Sequence, residues 1–145
     1  HVGRAVVEIV QHLSCQLYWV DTQENRFPKI IPSGVKKICA CSPGHIAAHA
    51  PENSIHLVMT YSHRIDYDVV SCVLSNGHFA RCGLIGSETK AARFRSRLLN
   101  AGVASAQIER LVCPIGLGEI QGKAPFQIAL SIAGQLSSWI DDCHV

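Results

Sequence analysis

The chain has 145 residues, 48% of them hydrophobic and 17% charged, with a formal net charge of +2. That composition excludes a disordered chain, and no apolar run approaches the roughly 18 residues of a membrane span. Near-neutral charge also argues against a protein that holds nucleic acid by bulk charge, and the length predicts a single domain over 1–145.

Taken in chain order, Gly3–Leu13 reads as a helix, with Val6, Val7, Val10 and Leu13 on one face. Gln16–Asp21 reads as a strand that ends in an acid, and residues 22–35, with two prolines and a glycine, as a loop. Lys36–Cys41 is a second predicted strand and Ser42-Pro43-Gly44 a turn. Ile55–Thr60 is a third strand, nearly all apolar and so expected to be buried on both faces. Arg64–Ser75 is helical, with Ile65, Val69, Cys72 and Val73 inward. Phe79–Ile85 is a fourth strand, and Glu88–Ala101 a basic helix capped by Gly102. Leu111–Ile115 is a fifth strand. The last helix starts at Pro125 and buries Ile128, Ala129, Ile132, Ala133, Leu136 and Ile140.

Strands alternating with helices across short loops predict an α/β fold: a doubly wound, mostly parallel sheet of Rossmann type. Ligands of such sheets sit beyond the carboxyl ends of the strands, against helix N-termini. That rule selects residues 1–3, 60–64, 83–90 and 114–122. A doubly wound sheet places its first strand at the centre, and no strand precedes the opening helix. The expectation is a chain truncated at that strand, with another segment, from a neighbouring subunit in one arrangement, filling the slot, or with a rearranged sheet. Seven cysteines, an odd number thinly spread, suit free thiols in a reducing, cytoplasmic compartment. The opening His1-Val2-Gly3-Arg4 does not read as a secretory leader.

Five groups of residues carry chemistry. His1-Val2-Gly3 fits the tail of a G-x-G-x-x-G turn, and Asp21 ends a strand where a dinucleotide site places its ribose-binding acid. The plainer reading is close helix–strand packing at Gly3 and a loop cap at Asp21. Gly83-Leu84-Ile85-Gly86-Ser87-Glu88-Thr89-Lys90 leaves a strand and enters a helix. Its glycines allow backbone approach to a ligand, and Lys90 and Arg93 suit a phosphate. Its plainer reading is a capped helix with a solvated basic face. Thr60-Tyr61-Ser62-His63, with Asp66, sets hydroxyls and an imidazole at a strand's carboxyl end, where His63 suits acid–base work. The alternative there is capping by Ser62 and Asp66. Cys39-x-Cys41-x3-His45-x3-His49 gathers four metal-type ligands, although C-x-C is tighter than usual zinc spacing. Two packed thiols followed by a polar helix is its plainer reading. Cys113-Pro114-Ile115-Gly116 ends a strand and opens a glycine-rich loop, where the alternative is a buried strand thiol.

The runs VMTYSHRIDYDV (58–69), CGLIGSETKAARFRSRL (82–98) and LVCPIGLGEIQGKAPFQIALSIAGQL (111–136), with the opening HVGRA and WVDTQENRFP (19–28), resemble the C-terminal domain of the XdhC/CoxI family of xanthine dehydrogenase accessory factors. The resemblance covers nearly the whole chain. Family members usually read T-H-S-H where this chain has Thr60-Tyr61-Ser62-His63. The resemblance implies a Rossmann-like domain that is not an enzyme. It implies a carrier that binds the molybdenum cofactor, protects it during sulfuration, and inserts it into a molybdenum hydroxylase apoenzyme. A cysteine desulfurase as sulfur donor and a homodimer belong to the same expectation, and nucleic acid and membrane do not. Gly86, Ser87 and Lys90, or Gly3, suit the cofactor phosphate; Ser62, His63 and Asp66 suit the pterin. Asp21 suits a ribose, hence a dinucleotide form or NAD(P). The competing expectation is an NAD(P)-dependent oxidoreductase or nucleotide-binding domain using Asp21 and His63.

Overall fold

The computed structural model describes residues 1–143. In order, its elements are α1 (Val2–Val10), β1 (Leu17–Asp21), a 3-10 turn (Glu24–Arg26), β2 (Val35–Cys39), α2 (Pro43–Ala48), β3 (Ile55–Val58), α3 (His63–Asn76), β4 (Arg81–Leu84), α4 (Glu88–Asn100), α5 (Ser105–Ile108), β5 (Leu111–Val112) and α6 (Pro125–Cys143). The expected alternation of strand and helix is present, and every strand pairing is parallel. The strands form two sheets, β1-β2 and β3-β4-β5, the division expected of a doubly wound sheet without its central first strand. Within the chain the described residues form two compact units, one of residues 1–41 with 116–143 and one of residues 42–115.

In the first unit, α1 packs on α6. Val6, Val7 and Val10 meet the requirement of a buried stripe, as do Ala129, Ile132, Ala133 and Leu136 of α6. Leu13 lies outside α1, which ends at Val10, and it is half-buried, as are Ile128 and Ile140. Ser131 and Trp139 join the buried face of α6 instead. On the β1-β2 ribbon, the register pairs Trp19 with Lys37 and Asp21 with Cys39. Phe27 packs edge-on to Trp19 at 5.4 Å between ring centres.

In the second unit, a continuous core runs from Val58 through Val70, Val73, Leu74, Leu84, Phe94 and Leu98 to Leu111. Burying each such side chain is worth about 1.5–3 kcal/mol against exposure. Two glycines end helices here. Gly77, in the left-handed conformation, closes α3. After α4, Gly102 donates to the Leu99 carbonyl and Val103 to that of Leu98, with Gly102 at φ +90°. That double bond is the Schellman arrangement, which satisfies two otherwise open carbonyls.

Several boundaries differ from the sequence expectation for physical reasons. The predicted 111–115 strand stops at Val112, because Pro114 has no N–H to give a ladder. The predicted 79–85 strand starts at Arg81; Phe79 is buried ahead of it under the Arg110 guanidinium, which is 3.8 Å from the ring centre. The predicted turn at 42–44 is the start of α2, with Pro43 in its first turn. Gly44 is buried there because a Cβ would meet Cys72 Sγ at 2.9 Å and the Asp68 carbonyl oxygen at 3.2 Å. The short α5 has no hydrophobic period long enough to announce it.

Candidate functional site

Because β3, β4 and β5 run parallel, the turns that follow them emerge at one end of the sheet. Those turns carry Thr60, Tyr61, Ser62 and His63 after β3, Gly86 and Ser87 after β4, and Pro114 after β5. The ladder continues into them: Ile85 N–H donates to the Val58 carbonyl at 3.0 Å, and Ile115 N–H to that of Leu84 at 3.0 Å. Ser62 and Ser87 are N-caps, accepting from the N–H groups of Ile65 and Lys90. The capping role is therefore met at both serines, and each helix start is fixed.

The centre of this end is a buried ion pair. Lys90 Nζ lies 2.8 Å from Asp66 Oδ2, with the side chains 9% and 1% exposed. Asp66 Oδ1 accepts from Thr60 N–H at 2.8 Å, and Lys90 Nζ donates a second bond to the Ile85 carbonyl at 2.9 Å. Thus Asp66 on α3 holds its own preceding turn, and Lys90 on α4 holds the turn before it. Each charge is paired and further hydrogen-bonded, which is the condition for tolerating a buried ion pair. The ammonium also lies 5.3 Å from the centre of the Phe94 ring.

This arrangement changes the part expected of Lys90. Its charge is met by Asp66 inside the protein, so it stands as a brace between two turns. Gly86 serves the same brace: a Cβ there would meet Lys90 Cδ at 2.5 Å. Gly83 lies buried within β4. Arg93 lies farther along α4, exposed beside Ala92, Ser96, Arg97 and Asn100 in a shallow groove. Exposed at the turns themselves are His63, Gly86, Ser87, Glu88, Thr89, Pro114 and Tyr61, the last 53% exposed. Tyr61 falls within the selected 60–64 loop but has no role assigned to it from the sequence; the signal for one is an aromatic residue set between two hydroxyls directly after a buried strand.

Cys113 sits buried after β5. Burial pushes its thiol up; Lys90 and Arg95 pull it back, while Glu88 and Asp66 add to the rise. Burial also pushes Cys82 up to about 12. Both thiols stay protonated at neutral pH, which makes them poor nucleophiles.

In the first unit, Asp21 ends β1 as predicted, and its carboxylate accepts from Thr22 N–H at 2.6 Å. Arg26 Nε lies 3.8 Å from it, and Arg4 in the first turn of α1 donates to the Arg26 carbonyl at 3.0 Å. Arg26 therefore links the strand's acid to the helix start that carries His1 and Gly3. A Cβ on Gly3 would meet nothing within 4 Å, so the space beside that turn is open. The predicted backbone approach at Gly116 is taken up internally: its N–H donates to Gln135 Oε1, and a Cβ would meet Ser131 Oγ at 2.6 Å. Among the described residues, no three His, Cys, Asp or Glu side chains converge to hold a metal ion, so the Cys39, Cys41, His45 and His49 run forms no four-ligand centre. No helix among them is long and apolar enough to cross a membrane.

No curated protein matches the chain. Among solved structures, a protein from Bacillus halodurans described as a xanthine dehydrogenase superposes with a TM-score of 0.78 at 20% sequence identity. The match covers 97% of this chain and 42% of that one, so this chain spans less than half the length of that relative. It shows a shared fold. Residues 1–136 match the XdhC Rossmann domain. The chain therefore belongs to the XdhC family of xanthine dehydrogenase accessory factors, through its Rossmann domain.

Proposed function

We propose that this chain is the cofactor-binding domain of a non-catalytic carrier that holds the molybdenum cofactor and delivers it to a molybdenum hydroxylase apoenzyme of the xanthine dehydrogenase type. Family membership supports the accessory role. The observation that carries the binding site is the Asp66–Lys90 brace, which fixes two turns while leaving their outer residues exposed. Those outer residues fit a flat ligand with a phosphate. Tyr61 offers a ring face for a pterin. His63 and Ser87 offer polar contacts to its edge. The phosphate suits the first turn of α3, where Arg64 follows His63 and the one acid, Asp66, is already paired with Lys90, better than that of α4, whose first residue is the exposed Glu88. When bound, the cofactor would supply the redox metal and its terminal sulfur to the client. The protein's part is to hold, orient and shield it. A cysteine desulfurase as sulfur donor, a homodimer and a cytoplasmic location belong to the same proposal.

A second reading rests on the link from Arg4 through Arg26 to Asp21, which suits a ribose diol near a helix start and hence NAD(P) or another nucleotide. An anaerobic titration with isolated molybdenum cofactor, with NAD as competitor, separates the two. Saturable cofactor binding that NAD leaves intact, and that Tyr61→Ala and His63→Ala weaken without unfolding, is the expected result. Binding of NAD alone would replace the carrier reading with the nucleotide one.

A further inference from the structure

The geometry points to a two-histidine binding site for a divalent transition-metal ion at the C-terminal end of α2, formed by His45 within the helix and His49 at its C-cap. The two residues are one helical turn apart and both are exposed. Their ring centres lie 4.3 Å apart, with the planes inclined by 41°. A metal–nitrogen bond of about 2.0–2.1 Å, plus about 1.2 Å from nitrogen to ring centre, puts each centre about 3.2 Å from a shared ion. Two such rings at a right angle at the metal, the angle of square-planar or octahedral coordination, have centres about 4.5 Å apart. The observed spacing is close to that of two adjacent positions around one ion.

Tautomer and scaffold favour the same reading. His49 Nδ1 lies 2.8 Å from the His45 carbonyl oxygen. A carbonyl only accepts, so Nδ1 carries the proton and the lone pair is on Nε2, facing away from the helix backbone. Metal-binding histidines are oriented by this kind of bond from the second ring nitrogen. The helix is held firmly. Gly44 lets α2 approach Cys72 and Asp68 of α3 closely, and Asn76 from the end of α3 donates to the Ala48 carbonyl, one residue before His49. One imidazole, that of His49, is thus oriented beside a second on a braced surface, and at least two positions on a four-coordinate ion remain for water or a partner's oxygen donors. Imidazole pairs suit zinc, copper and nickel ions, with copper(II) bound tightest.

Cobalt(II) chloride is the probe, because its visible absorption reports nitrogen and oxygen ligands and a near-ultraviolet charge-transfer band reports thiolate. The whole chain is titrated under reducing conditions, beside His45→Gln, His49→Gln and a Cys39→Ser/Cys41→Ser variant. Saturable visible absorption with no thiolate band is expected. Each histidine variant should weaken binding by roughly tenfold or more, since the second imidazole binds at the high effective concentration of a fixed neighbour. The cysteine variant should bind like the parent. Circular dichroism shows whether each variant keeps its fold. Absence of saturable binding, unchanged affinity in either folded histidine variant, or a thiolate band lost in the cysteine variant would each overturn the site.

Discussion

Asp66 and Asp21 hold related places in their βα units, one shortly after β3 and one at the end of β1, yet the structure uses them in opposite ways. Asp66 is 1% exposed, 2.8 Å from Lys90 and hydrogen-bonded to the turn before it. Asp21 is 26% exposed, with Arg26 at 3.8 Å. Position at a strand's carboxyl end does not by itself make a carboxylate a ligand-binding group. What decides is whether a counter-charge reaches it inside the protein. Asp66 has one, so its charge is spent on architecture. Asp21 keeps an accessible side and so keeps the capacity to meet a ligand.

The strongest way to break this contrast is to remove Asp66. Asp66→Ala leaves the Lys90 ammonium buried without its partner and frees the Thr60 turn. The expected cost is about 3–5 kcal/mol of folding stability, read by urea denaturation. Replacing both partners with apolar residues of similar size, Asp66→Leu with Lys90→Met, should recover much of that loss, because no uncompensated charge remains. A cost under about 1 kcal/mol for Asp66→Ala, the range of exposed pairs, would put Asp66 in the same class as Asp21.

Gly86 tests the brace from its other end. The Cβ of Gly86→Ala would meet Lys90 Cδ at 2.5 Å, and the lysine is held at its tip by Asp66 and Ile85, so its stem has little room to yield. Overpacking of this kind costs about 1–3 kcal/mol. In the Asp66→Leu/Lys90→Met background the cost should shrink, since the more flexible methionine has no tip contact to keep. An equal cost in both backgrounds would place the strain in the Gly86 backbone.

These side-chain commitments explain how far the sequence could be read. The strands, the long helices and the caps Ser62, Ser87 and Gly102 were legible, because periodicity and capping are local. So was the placing of 60–63 and 86–87 at one end of a parallel sheet, which follows from strand–helix alternation. The role of Lys90 was not legible. Its spacing from Ser87 fits a phosphate-binding lysine equally well, and only the long-range partner Asp66, twenty-four residues away, decides. Arg26 was missed for the same reason: its importance comes from Arg4 and Asp21, and a 3-10 turn of Glu24–Arg26 carries no periodic signal. The division into two sheets was legible too, since a doubly wound sheet without its central first strand leaves two groups of strands.

The contrast also has a pH axis within the second unit. His56 lies on β3, the strand that leads into the Thr60 turn, and burial lowers its pKa from the usual 6.5. The unfolded chain then binds the proton more readily than the folded one. The stability from keeping this imidazole neutral is complete above pH 6.5 and is lost as pH falls toward the lower folded value. Urea midpoints should therefore fall as pH drops below 6.5, with the slope reduced in His56→Gln. An identical slope in that variant would assign the acid sensitivity to other groups.

The smallest effect on stability is expected at Asp21. Asp21→Asn removes a partly exposed charge 3.8 Å from Arg26 but keeps an oxygen able to accept from Thr22 N–H, so the cost should be under about 1 kcal/mol. Its effect on binding is the sharper test, because a carboxylate accepts hydrogen bonds from a ribose diol at both oxygens, whereas an amide offers only one acceptor atom. If a nucleotide-bearing ligand uses this end of β1, Asp21→Asn should weaken it by roughly tenfold, the loss expected for one charged hydrogen bond, while leaving the denaturation midpoint nearly unchanged. Binding that is insensitive to Asp21 and sensitive to Tyr61 and His63 would assign ligand recognition to the second unit and leave Asp21, like Asp66, a part of the scaffold.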